Sequence, residues 1–440
     1  MILIGITFGV FIGLAIISTH HALGLWIFFM ITHGIFYQFI GKGSEHLPMF
    51  AGLAVLIVML IRRKWAGVSL RLLVLIIALI SCMAISSLFG ISQDASLLTI
   101  LIYARGYILV LILAGAIRSD RELRAMTLYC LAGLVVGGIA CIYQYLTGSF
   151  TISTIYVQRA ASLRGDPNDT AMLLVTGVPI LYYWFFANRS VPVKLACIGG
   201  MALLLAGIIL TGSRGGFVAL LLVMLLVFLH RPSFKLFVIG LIIAAFFVVL
   251  APRAYWTRMN TMVTGKEQHY GQSLKGRAML QRVGAGIFFN NPILGVGPGN
   301  FKQAFLAVNL PGSKPGVTRS INEETSIVAH NMYLEFFAEN GILGGVLFLM
   351  VFILSVREFL RFDQRRRDDR VGIGLGLSLA FALGGMLFAG LFLSQAKNSV
   401  LWTIVGLGFA AGAVTNRKIA EKSVAIATET TVAPFPLTTA

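Results

Sequence analysis

Three cationic or titratable side chains stand where an anionic substrate could be held and a hydroxyl activated. Arg214 sits in the turn TGSRGG between two apolar runs, and Arg277 opens KGRAMLQRVGAGIFFNNPILGVGPGNF. His330 lies in IVAHNMYLEFFAENGILGG, where a long polar segment gives way to the next apolar run. An arginine at the centre of a membrane helix costs roughly 2.5–3.5 kcal/mol, so something must recover that cost. The guanidinium fork matches two phosphate oxygens at once, and glycines beside Arg214 let the chain turn sharply and a ligand come close. Snorkelling to the interface is the plainer reading of Arg214, but it needs no glycine-flanked turn. Together Arg214 and Arg277 could clamp a pyrophosphate. Histidine, with an unperturbed pKa near 6.5, accepts and passes protons near neutrality. At a helix start it also serves as a cap or a packing residue. Asn331, Tyr333 and Glu335 follow within a turn or so and complete a polar cluster.

Other residues carry less. Arg105, in TILIYARGYILVLIL, is an intramembrane charge and therefore a functional candidate by default. The stretch QRAASLRGDPNDTA brings Arg159, Arg164, Asp166, Asn168 and Asp169 together, with Asp166 or Asn168 placed to cap the following helix. Lys397, in SQAKNS, is a further candidate to touch phosphate, while Arg282 points elsewhere on its helix than Arg277. His20, His21, His33 and His46 have no metal-ligand spacing, and neither HExxH nor a carboxylate pair occurs, so no catalytic metal is expected. Cys82, Cys130, Cys141 and Cys197 all fall in apolar runs and read as small buried hydrophobes.

The elements that must position these groups are membrane helices. Of 440 residues, 58% are hydrophobic and 12% charged, and mean hydropathy is +0.87. Apolar runs recur at lengths that cross a hydrocarbon core of about 30 Å, and the period-two alternation of a barrel is absent. The fold class is an all-α polytopic membrane protein of about 12 transmembrane helices with a large helical outer loop. Spans are predicted at 2–18, 22–40, 48–61, 69–89, 97–117, 126–146, 168–187, 192–211, 214–230, 233–251, 332–356, 372–393 and 398–415. The N-terminal run lacks a cationic start and a small-residue cleavage site and is kept as structure. Four regions result: helices over 1–251, the loop 252–331, helices over 332–415, and a tail, 416–440, rich in Ala, Thr and Pro and expected to be disordered.

Net charge is +18, carried largely in short loops, with no basic stripe interleaved with aromatics, so nucleic acid is a poor partner. From residue 60 onward, lysine and arginine gather in every second loop: 62–64, 118–124, 189–194, 231–235, 357–370 and 417–418. By the positive-inside rule these loops are cytoplasmic, and the loops holding Arg214, Arg277 and His330 face outward. The long loop is basic and partly amphipathic, which suits an anionic ligand or anchorage on anionic lipid. No internal repeat supports a transporter built of matched halves.

In order and spacing, SRG at a span boundary, GR…NNPILGVGPGNF and HNMYLEFFAENGILGG resemble the O-antigen ligase and Wzy-polymerase superfamily, over about residues 160–355. The resemblance implies a GT-C-like fold in the bacterial inner membrane and glycosyl transfer on its periplasmic face. The donor would be an undecaprenyl-pyrophosphate-linked polysaccharide, used without nucleotide sugar, metal or other cofactor. Arg214 and Arg277 match the family arginines that hold the donor pyrophosphate, and His330 matches the histidine that activates the acceptor hydroxyl. Arg105, Arg164 and Lys397 are further candidates for the pyrophosphate, with Asn331, Tyr333, Glu335, Asp166 and Asn168 in support. Lipid A-core is the expected acceptor, with membrane lipid as the surrounding partner. A Wzy-type polymerase and a protein O-oligosaccharyltransferase remain alternatives, and from another class a lipid-linked saccharide transporter. The N-terminal portion, THHALGLWIFFMITHG…LPMFAGLAVLIVMLIRRKW, also resembles a subgroup associated with exosortase systems.

Overall fold

The structure is a computed structural model describing residues 2–40, 46–62, 68–149, 152–154, 157–162, 165–230, 232, 274–308, 327–364 and 374–431. The predicted span 233–251, Arg164 and much of the long loop lie outside the described residues. In chain order the helices are α1 (Ile2–Ile17), α2 (Thr19–Ile40), α3 (Leu47–Ile61), α4 (Leu70–Leu88), α5 (Gln93–Ala116) and α6 (Asp120–Thr147). A hairpin of β1 (Ile152–Thr154) and β2 (Val157–Arg159) precedes α7 (Pro167–Ala187), α8 (Val191–Thr211) and α9 (Arg214–His230). Then come α10 (Leu274–Asn290), α11 (Phe301–Ala307), α12 (Met332–Gln364), α13 (Leu375–Ala389) and α14 (Ser399–Thr431). Seven of the described helices (α4–α8, α12 and α14) are long and apolar enough to cross a membrane, and four shorter apolar helices accompany them. The protein is a polytopic, helical membrane protein.

Helix ends follow local chemistry. The Ser69, Ser92 and Ser119 hydroxyls accept from Leu72, Ala95 and Glu122 amides, while Gly148 and Gly212 close α6 and α8 in the left-handed conformation. Between helices, packing rather than water exclusion supplies the attraction in lipid, so small residues let backbones approach. Gly207 of α8 comes against Gly138 of α6, with room for no side chain. Beneath the site, Trp402 of α14 meets Tyr107 of α5 edge-on at 4.8 Å, and Phe336 stacks on Phe348 at 4.1 Å within α12.

Two departures from the expected elements stand out. The run predicted as one span from 332 breaks at Gly341, where φ is 64° and ψ −171°. That conformation is essentially reserved for glycine. The break receives the 292–297 segment: Ile342 N donates to Pro292 O (2.8 Å), Val296 N to Ala338 O (3.1 Å) and Gly297 N to Glu339 O (3.0 Å). The last helix also runs past 415 to Thr431, so this part of the tail is helical where disorder was expected.

Polar contacts gather at opposite ends of the bundle. At one end Lys418 pairs with Asp120 (2.9 Å), Arg417 donates to Ile117 O (3.4 Å) and Arg361 donates to Asn416 (3.2 Å). Three basic clusters predicted to share one face therefore meet. The other end holds the N-terminus of α7, the α8–α9 turn, α10 and the segment that leads into α12.

Candidate functional site

Asp166 starts α7 as its N-cap, accepting from Asn168 N (2.6 Å) and Asp169 N (3.2 Å) ahead of Pro167 in the first turn. Asn168 then ties three segments together. Its Oδ1 accepts from Arg159 Nη2 (3.0 Å) and from Ser213 Oγ (3.0 Å), and Arg159, 4% exposed, also donates through Nε to Thr211 O (2.9 Å). Ser213 in turn accepts from Gly216 N (3.1 Å) and so caps α9. Arg214 is the first residue of that helix, half-buried, with its Nη1 atom enclosed. A Cβ at Gly216 would overlap the Ala171 side chain, so glycine is what lets α9 lie against α7 and fixes Arg214 there. Arg159, read from the sequence as a minor loop residue, is the buried link that holds this turn.

The second half of the site comes from α10 and the segment before α12. Arg277 and Gln281 lie four residues apart on α10 and so share one helix face. Gln281 Nε2 donates to the backbone oxygens of His330 (3.3 Å) and Leu391 (3.5 Å), and Met332 N donates to Gly390 O (2.8 Å). His330 has φ 50°, the only positive φ outside glycine among the described residues. The residues around it hold this backbone. Asn331 Oδ1 accepts from Tyr333 N (3.1 Å) and Leu334 N (3.0 Å), and Tyr333 donates its hydroxyl proton to Leu387 O (2.6 Å). Glu335 accepts from Ala329 N (3.1 Å) and from the Ser394 hydroxyl.

The electrostatics join the two halves. Burial first and the Arg277 charge second lower the His330 pKa from 6.5 to about 4, and Asp166 opposes both. The imidazole is thus neutral at neutral pH and able to accept a proton. Arg277, His330 and Asp166 lie within electrostatic reach of one another, and Asp166 connects through Asn168 and Ser213 to the turn that bears Arg214.

Not every sequence candidate joins them. Arg105 is exposed about 18 Å along α5 from its start, and no described contact links it to His330. Lys397 is exposed and acts on Glu339 instead. Glu339 itself escaped the sequence reading. It is 2% exposed and accepts from Phe301 N (3.3 Å), fastening the end of the glycine-rich loop to α12. Asn300, 0% exposed, fastens the same loop to the start of α5, accepting from Ser92 N (2.9 Å) and donating to Ser96 Oγ (2.8 Å). An acidic residue inside FFAENG and an asparagine after GVGPG were the available signals. Among the described residues no group of three or more His, Cys, Asp or Glu is arranged to hold a metal ion.

Residues 199–349, about a third of the chain, match the family model described as O-antigen ligase (Wzy_C). That range takes in Arg214, Arg277 and His330, while Asp166, Asn168 and Arg159 precede it. No curated protein matches the chain.

Proposed function

We propose, from the premise that the chain is of the O-antigen ligase and Wzy-like family, that it is a membrane glycosyltransferase acting as an O-antigen ligase. It moves a polysaccharide from undecaprenyl pyrophosphate to a hydroxyl of lipid A-core at the periplasmic face of the inner membrane. His330 takes the proton of the acceptor hydroxyl as the oxygen forms a bond to the anomeric carbon. The bond from that carbon to the pyrophosphate oxygen breaks, and its electron pair leaves with undecaprenyl pyrophosphate. Attack from the face opposite the leaving group inverts the anomeric centre. Arg214 and Arg277 stabilise the charge that builds on the pyrophosphate, which positioned cations in a water-poor site do without a divalent ion.

The observation that carries this reading is His330, in a left-handed backbone, tied by Gln281 to the helix that bears Arg277, with burial and the Arg277 charge keeping its imidazole neutral. Burial and the nearby cation that keep this histidine neutral also weaken it as a base. An anionic donor on Arg277 offsets that charge and raises the basicity of His330 when substrate is in place. Base strength and donor binding are thereby coupled.

The direct test is transfer by the purified full chain, with lipid-linked polysaccharide and lipid A-core as substrates. Arg214→Ala, Arg277→Ala and His330→Ala should each insert normally and lose transfer. Near-normal transfer by His330→Ala would overturn the base assignment. Deleting the gene and resolving the lipopolysaccharide on a gel separates the acceptors. Core without long chains, together with accumulated lipid-linked polymer, is the ligase result; a single repeat left on the core is the polymerase result.

A further inference from the structure

At the basic end of the bundle, away from His330, a cavity of about 930 Å³ opens between α4, α12 and α14. Its size is at the upper end of the roughly 300–1,000 Å³ of small-molecule sites. Among the described residues its mouth carries Arg71, Arg357 and Arg361 against one acid, Glu358. Arg361 is committed to Glu358, donating through Nη1 to both carboxylate oxygens (2.9 Å each). Arg71 and Arg357 are exposed, so three arginines against one glutamate leave two positive charges for an incoming group. Below this rim the wall is apolar and faces outward: Val74 is 55% exposed and Met350 41%. The cavity therefore joins a cationic rim to an apolar wall that is open to the outside of the bundle.

We infer that this cavity binds an acidic glycerophospholipid of the leaflet that meets the basic end, with its phosphate on Arg71 and Arg357 and an acyl chain along Val74 and Met350. A free anion would use the arginines and leave the apolar wall bare, whereas a neutral lipid would leave the charges unmatched. A basic pocket between membrane helices is the expected form of such a site. The inference is independent of the glycosyl transfer reading, and its failure leaves that reading as it stands.

Native mass spectrometry of the full chain, released from nanodiscs of mixed palmitoyl-oleoyl phosphatidylglycerol and phosphatidylcholine, tests it. The protein should retain phosphatidylglycerol at least tenfold over phosphatidylcholine. Each arginine removed should cost about fivefold, so Arg71→Gln with Arg357→Gln should cost roughly twenty-five-fold. Arg121→Gln, on the same face but outside the cavity, should change nothing. Equal retention of the two lipids, or full retention in the double variant, overturns the site. If the double variant does not insert, protection of Arg71 in the wild-type chain from an arginine-modifying glyoxal decides instead. Phosphatidylglycerol should protect and inorganic phosphate at the same concentration should not; equal protection by phosphate would mean a free-anion site and refute the lipid.

Discussion

Replacing Asp166 with asparagine should push the pKa of His330 further down. Asparagine caps a helix about as well as aspartate, so α7 keeps its first turn and only the charge goes. The fall of the imidazole pKa from 6.5 to about 4 disfavours the imidazolium by about 3 kcal/mol before solvent screening, with burial the largest cause. Asp166 is the one contribution working the other way. Two unit charges in contact near a protein surface interact with about 4 kcal/mol at an effective dielectric near 20, and with less further apart. Both groups are half-buried, and screening reduces this to about 0.5–1 kcal/mol, or roughly half a pH unit. The sign is fixed: losing a carboxylate removes support for the cation, so protonation needs a lower pH. The assay is a ¹³C titration of Cε1-labelled histidine in the nanodisc-embedded chain, with the His330 signal assigned by its loss in His330→Gln. It needs no substrate and reads the ring directly. A wild-type signal titrating near 6.5 would refute the buried, cation-flanked placement of His330, and an upward move in Asp166→Asn would refute the proximity of the two groups.

Three further outcomes follow from the same geometry. Arg214→Lys should lose transfer by tenfold or more, because a point charge cannot replace the fork; full activity would mean that Arg214 merely snorkels. Chelation with EDTA should leave turnover intact, since the proposed charge stabilisation is made by arginines; strong inhibition would defeat that. Gly341→Ala should lower the apparent unfolding temperature by several degrees or prevent insertion. Its Cβ would overlap the Ile293 carbonyl, and the backbone conformation alone costs about 1–3 kcal/mol; an unchanged melting profile would show that the break in α12 relaxes freely.

The helices were legible because apolar length in lipid leaves little choice, and α7, α8 and α9 begin within a residue of their predicted starts. Polar residues at run boundaries pointed to the Asp166 cap for the same reason: an orphaned helix amide needs an acceptor. What escaped are features set by contacts distant in sequence. The glycine of AENG reads as an ordinary residue of an apolar run, and only the segment from Pro292 to Gly297 docking into α12 makes it a break. Glu339 and Asn300 read as isolated polar residues until the glycine-rich loop lies between them. Arg105 shows the converse limit, since a charge inside an apolar run signals that something must accommodate it but not which face it takes.

The left-handed backbone at residue 330 carries a consequence for the choice of variants. Any side chain with a Cβ bears about 1 kcal/mol or more of strain there, and glycine bears none. A sequence answering to thermal robustness alone would carry glycine at this position. His330→Gly should therefore yield a sturdier protein with no chemistry, while His330→Ala keeps the strain and removes only the ring. The difference between those two melting temperatures measures how much stability the chain forgoes to hold an imidazole in that posture.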